Sequence, residues 1–297
     1  MKNIKSSTKK FKLVSSISID KAVPVSEKIL RNQVSIKRKV EMDKYGRIDI
    51  YNKISKFLQG NRREAFSLVN HSLAIVDDEI DDNGNKNQLN KAKAILRNGF
   101  QRKKIKTTKM WERNVFKLGL ILFCLDRDGF KQAKKIFNEV ITYWKIEKKN
   151  LDRKGKILNL RSLDKLNLNI GKSVILQFLY LLCPNLNDNS KKSIASLYGF
   201  SIKLADNIAD LHEDIKEGYI NISKEDIERY NLNIFALKKD GLSLYKRKEF
   251  ERIKKYYKES DKTLVNVSKK YSSQKKGLLF IKDFSRSWLK QVKEMCF

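Results

Sequence analysis

Apolar positions along the chain acquire a period at Tyr51. Ile54, Phe57 and Leu58 are followed by Ala65, Phe66, Leu68, Val69, Leu73, Ile75 and Val76 at three- and four-residue spacing, which turns one helical face toward a core. Similar runs predict helices over Leu89 to Gly99, Trp111 to Leu125, Phe130 to Trp144 and Leu166 to Cys183. After a polar break from Pro184 to Asn189, the positions Ile194, Leu197, Tyr198, Ile202, Ala205, Ile208 and Leu211 predict one long helix over Ser193 to Glu217. Gly218 is its expected stop, because glycine adopts the left-handed conformation that ends helices. Ser223, with Asp226 three residues on, opens the next helix as a capping box in which Asp replaces the usual Glu or Gln. A basic, aromatic-containing helix from Leu244 to Lys258 and a last one from Leu278 to Met295 complete the pattern. Only two prolines and 12 glycines interrupt the 297 residues, so the chain reads as all-α.

Residues 1–46 lack this period and are rich in Lys, Ser and Val with few acids, so they read as a basic, flexible N-terminal segment ahead of a single helical domain over 47–297. Their low acid content also suits an organelle-targeting leader, although Lys outnumbers Arg and no amphipathic helix is evident. The strongest apolar stretches, Val115 to Leu125 and Val174 to Cys183, fall short of the roughly 20 residues needed to span a bilayer. Cys124, Cys183 and Cys296 have no metal-ligand spacing, and an odd count without a secretory signal suggests a reducing, cytoplasmic setting.

The formal charge of +31 favours anionic partners without choosing among them. Basic clusters at Arg97, Arg102, Lys103, Lys104, Lys106 and Lys109, and again from Lys246 to Lys258, suit peripheral contact with an anionic membrane. No base-reading module accompanies them, so nucleic acid is not the expected partner.

Against this excess of lysine, two acid clusters stand out: Asp77-Asp78-Glu79-Ile80-Asp81-Asp82, and Asp206-Asn207-Ile208-Ala209-Asp210-Leu211-His212-Glu213-Asp214. Helical positions four apart differ by only about 40°, so Asp77 and Asp81 share a face, as do Asp206, Asp210 and Asp214. Such like-charge ladders cost a few tenths of a kcal/mol per pair. A hard divalent cation reverses that sign, and Mg²⁺ completes its shell with water and substrate phosphate oxygens.

Residues 57–82, FLQGNRREAFSLVNHSLAIVDDEIDD, and 199–232, GFSIKLADNIADLHEDIKEGYINISKEDIERYNL, resemble the two aspartate-motif blocks of the squalene/phytoene synthase family, in the same order and with similar separation. The resemblance implies an isoprenoid synthase helical bundle with a central apolar cavity flanked by the two Asp-rich motifs. It further implies a Mg²⁺-dependent prenyltransferase, with three ions holding an allylic farnesyl or geranylgeranyl diphosphate while it ionises, and two prenyl units condensing head to head through a cyclopropyl intermediate. Asp77, Asp81, Asp210 and Asp214 match the catalytic and metal-binding positions. Asp206 is a further metal ligand where the family usually has Asn.

Departures concern the diphosphate. Ala74 and Ala209 stand where the family commonly has arginine, Asn70 where it has an aromatic residue, and Leu166 and Leu168 where it has tyrosines. Lys203, at a position usually held by Gln, is the foremost replacement cation, with Arg47, Arg62 and Lys172 as the others. These losses keep two alternatives open: the same ionisation with another acceptor or a cyclisation, as in terpene synthases, and a non-catalytic membrane-associated protein on the same fold. NADPH is compatible with the resemblance, but no nucleotide-binding glycine signature calls for it. Either a monomer or a homodimer suits the pattern.

Overall fold

The computed structural model describes residues 44–76, 87–234 and 239–297. Over these the chain runs through α1 (Arg47–Phe57), α2 (Gly60–Val76), α3 (Asn87–Phe100), α4 (Met110–Arg127), α5 (Ala133–Leu151), α6 (Leu160–Leu182), α7 (Asp188–Ala209), α8 (Leu211–Glu217), α9 (Lys224–Arg229), α10 (Lys239–Lys270) and α11 (Lys275–Cys296). No strand occurs among the described residues, as the periodicity predicts. The first acid cluster, Asp77 to Asp82, lies outside the described residues, as do positions 1–43.

Side-chain caps set several boundaries that apolar periodicity misses. Asn159 accepts a hydrogen bond from Ser162 N at 2.8 Å and starts α6 ahead of its apolar run. Asn187 does the same for Ser190 N at 2.8 Å and starts α7. Each supplies an acceptor to an amide that has no partner within the helix. Ser223 caps α9 as expected, its Oγ accepting from Asp226 N at 3.0 Å and donating to Asp226 Oδ2 at 2.6 Å. The basic helix α10 is longer than its lysines suggest, because Leu242, Tyr245, Phe250, Ile253 and Leu264 keep one side of it buried.

The expected helix from Ser193 to Glu217 is two helices. Backbone at Asp210 (φ −98°, ψ 9°) closes α7 and opens α8. The i,i+4 spacing survives the break, since Asp210 N donates to Asp206 O at 2.9 Å and Asp214 N to Asp210 O at 2.8 Å.

α6 and α7 form the most extensive helix pair. At their crossing a Cβ on Gly171 would fall 2.0 Å from Gly199 O, so the two backbones touch where both side chains are absent. A large apolar core lies among α1 to α7, α10 and α11, and a smaller one joins α7, α8, α10 and α11. Between α1, α2, α6 and α11, the rings of Tyr51, Phe66, Phe178, Phe280 and Phe284 pack at centroid distances from 5.4 to 6.2 Å. These five rings fill the space between the four helices. No described helix is long and apolar enough to cross a membrane.

Candidate functional site

The end of the bundle where α2, α5 and α7 finish gathers charge. Trp144 Nε1, on α5, donates to Ser72 O of α2 at 3.0 Å, one turn before α2 ends at Val76. One turn beyond Trp144, Glu147 is buried. The loop after α5 then meets the loop after α8, with Gly155 N donating to Gly218 O at 2.8 Å and Lys224 N to Leu158 O at 2.9 Å. Gly218 has φ of 90°, the left-handed geometry its sequence position predicts. These backbone bonds bring Arg153 and Asn221 beside the second acid ladder.

Arg153 is buried and spends its guanidinium on three acceptors. Its Nε donates to Asn150 Oδ1 at 2.7 Å, Nη1 to Ile220 O at 3.0 Å, and Nη2 to Asn221 Oδ1. Asn221 Nδ2 donates to Asp214 Oδ2 at 2.5 Å, and Asn150 Nδ2 to Glu147 Oε2 at 3.0 Å. A planar arginine thus orders two amides that each present a donor to a carboxylate.

Lys203 reaches the same cluster from within α7. Its Nζ lies 2.6 Å from Asp206 Oδ2, both side chains being largely covered. Burial opposes its charge, but Asp206, Asp214 and Glu147 together hold the ammonium pKa above the usual lysine value. Burial, and then repulsion from Asp206, lift the Asp214 carboxyl to about 6, against the pull of Lys203, Asn221 and Arg153. Asp210 is half-buried on the intervening turn.

The sequence-predicted residues therefore divide. Lys203, Asp206, Asp210 and Asp214 share one end of α7 and α8. Arg47 is committed to α11: its Nε donates to Ser287 Oγ at 3.2 Å, Nη2 donates to Gln291 Oε1, and the guanidinium lies 3.8 Å from the Trp288 ring centroid. Arg62 belongs to the opposite end of the bundle, where it donates to Leu181 O and covers Phe130. The 14 residues from Arg62 to Val76 place it about 21 Å from the finish of α2. Lys172 sits at mid-bundle near Glu139, and Glu139 lies two turns, about 12 Å, before Glu147 on α5. Helix rise thus places Arg62 and Lys172 apart from this cluster. His71 is buried and pushed down to about 4 by that burial, whereas His212 is exposed.

Glu147, Asn150, Arg153 and Asn221 escape sequence reasoning. They come from loops and a helix end joined only by tertiary backbone bonds, and no local spacing marks them.

The second ladder in this arrangement does not fit a divalent ion. The Lys203 ammonium closes Asp206, the Asn221 amide closes Asp214, and among the described residues no three carboxylate, imidazole or thiol groups converge to hold a metal. Asp77 and Asp81, outside the described residues, are the other half of the expected Mg²⁺ site.

No family model matches the sequence, and no curated protein matches it either. Among solved structures, a dehydrosqualene synthase crystallised with a ligand superposes with a TM-score of 0.60 at 16% identity, covering 91% of this chain and 97% of that one. The chain has the all-helical isoprenoid synthase fold of that dehydrosqualene synthase.

Proposed function

We propose that the charged end of the bundle binds the diphosphate of a farnesyl or geranylgeranyl substrate and promotes its ionisation, with Mg²⁺ at Asp77 and Asp81 as counter-charge. The observation that carries this reading is the charged cluster in which Glu147 and Arg153 are buried and Lys203, Asp206 and Asp214 are partly covered. Burying charge costs several kcal/mol per ion before pairing offsets it, and a helical bundle of this size needs none of it to fold. Bound Mg²⁺ would supply neutralisation of the leaving diphosphate. The chain's own part is to set the Lys203 and Arg153 charges beside that group and to cover the site from water with α2, α5 and α7. In the ionising step the allylic carbon–oxygen bond breaks and the electron pair leaves with diphosphate. A second prenyl diphosphate then supplies the double bond that attacks the cation. Its π bond becomes the new carbon–carbon bond, and the resulting tertiary cation closes to a cyclopropane as a proton passes to the released diphosphate. The basic helix faces would hold the protein at an anionic membrane where both substrates dissolve.

The test is incubation with Mg²⁺ and farnesyl or geranylgeranyl diphosphate, followed by assay of released diphosphate and extraction of hydrocarbons. A C30 or C40 head-to-head product is expected. A cyclic or mixed product would shift the assignment to another acceptor, and no release at either chain length would refute both. Asp81→Ala is expected to abolish turnover.

The ring packing of Tyr51, Phe66, Phe178, Phe280 and Phe284 favours a second reading. A prenyl chain entering between α1, α2, α6 and α11 must displace these rings, and a non-catalytic protein on the same fold would have no need to do so. Phe66→Ala with Phe178→Ala separates the two: faster turnover supports an enzyme whose pocket is constricted, whereas loss of stability without turnover supports a filled core.

A further inference from the structure

Lys203 and Asp206 stand one turn apart on α7, with Nζ and Oδ2 at 2.6 Å. Where the resembling family has a neutral Gln and a neutral Asn, this chain has a cation and an anion. The two changes cancel in charge and meet in space. Asp214 and Glu147 also act electrostatically on the ammonium, so three carboxylates act on one tethered positive charge. Asp214 is in turn closed by Asn221, which Arg153 orients. A divalent ion at this ladder would have to displace the ammonium from Asp206 and the amide from Asp214, and it would enter a cluster that already holds the Lys203 and Arg153 cations.

We propose that Lys203 is a built-in cation of the second ladder: its ammonium takes the place of a metal ion against Asp206, so this half of the site meets an anionic group without binding metal. The inference rests on assigning the site to phosphate recognition but not on turnover. A lysine is a compact point charge, and covalent attachment supplies it at a high effective concentration whatever the free Mg²⁺ level. Metal dependence, where present, is then confined to Asp77 and Asp81.

Binding of Mn²⁺, a paramagnetic stand-in that accepts the same oxygen ligands, is counted by electron paramagnetic resonance of the free ion. The full chain carries Asp77→Asn and Asp81→Asn to remove the first ladder, and no substrate is added. This background is expected to bind no Mn²⁺ at the second ladder. Adding Lys203→Gln is expected to create one Mn²⁺ site, and Asp206→Ala on top of it to abolish that site. The proposal is overturned if the background already binds Mn²⁺ in a way that Asp206→Ala removes, or if folded Lys203→Gln protein gains no site. Should Lys203→Gln fail to fold, Asp206→Ala in the same background decides: unchanged Mn²⁺ binding supports the proposal and a loss overturns it. Absence of prenyl turnover leaves these counts untouched, so the two readings fail separately.

Discussion

Arg153 holds three acceptors from three different segments, Asn150, Ile220 and Asn221, and through Asn221 it sets the hydrogen-bond partner of Asp214. Arg153→Met is expected to cost about 3 kcal/mol in urea unfolding, because it strands buried acceptors as well as removing a charge. Arg153→Lys should recover little of this, since a point charge lacks the fork that meets three acceptors together. A second residue links stability to pH. Glu249 is buried beside Asp226 and Asp164, with Arg252 Nη1 at 3.5 Å. Burial pushes its carboxyl up to about 7, despite the opposing pull of Arg252. The folded state thus holds this proton more tightly than the unfolded one, and the resulting stability is present below about pH 4.5 and lost as pH rises through 7. The loss amounts to roughly 3 kcal/mol. Glu249→Gln is expected to flatten that decline in denaturation midpoints measured from pH 4.5 to 8, and an unchanged slope would refute the assignment. At this scale, legibility follows distance along the chain. Lys203, Asp206, Asp210 and Asp214 lie within three turns, where helical spacing alone fixes their neighbours. Arg153 and Asn221 meet through the Gly155–Gly218 contact, which no periodicity encodes. Arg62 stands about 21 Å from the finish of α2 at Val76, a separation that its place in the same sequence block does not reveal.

Among the helices, the pair α6 and α7 sets the geometry of the site, since α7 carries the ladder and α6 fixes its position. Gly171 and Gly199 allow the backbones to touch, and a Cβ at Gly199 would lie 2.3 Å from Gly171 C and Gly171 O. Gly199→Ala is therefore expected to destabilise the protein by roughly 1–3 kcal/mol, with backbone displacement as the cause. Asn187→Ala, which removes only the cap of α7, should cost about 1 kcal/mol. Thermal melting of the two variants side by side distinguishes a packing contact from a cap. The apolar stripes of α2, α4 and α6 are readable in sequence because their burial is continuous. The division of α7 from α8 at Asp210 is not, because the acidic positions keep their i,i+4 spacing on both sides of it. The full extent of α10 is hidden by lysines on its solvent side, with buried positions too widely spaced to form an unbroken run.

At the scale of the whole molecule, a formal charge of +31 makes self-repulsion a standing cost of the compact state, and salt screens it. Raising ionic strength from about 0.02 to about 0.2 M, over which the Debye length shortens severalfold, is expected to raise the melting temperature. A fall would mean that surface ion pairs outweigh repulsion. The fold of the bundle is shared with a dehydrosqualene synthase. Recognition of a prenyl diphosphate is what the proposed function adds to that fold, and equilibrium binding reads it most directly. Calorimetry with a prenyl thiolodiphosphate, in which sulfur replaces the bridging oxygen and resists ionisation, reports binding whether or not turnover follows. Saturable binding of one molecule per chain is expected, at least tenfold tighter than inorganic diphosphate. Absence of binding with both C15 and C20 tails, or equal affinity for inorganic diphosphate, would contradict it.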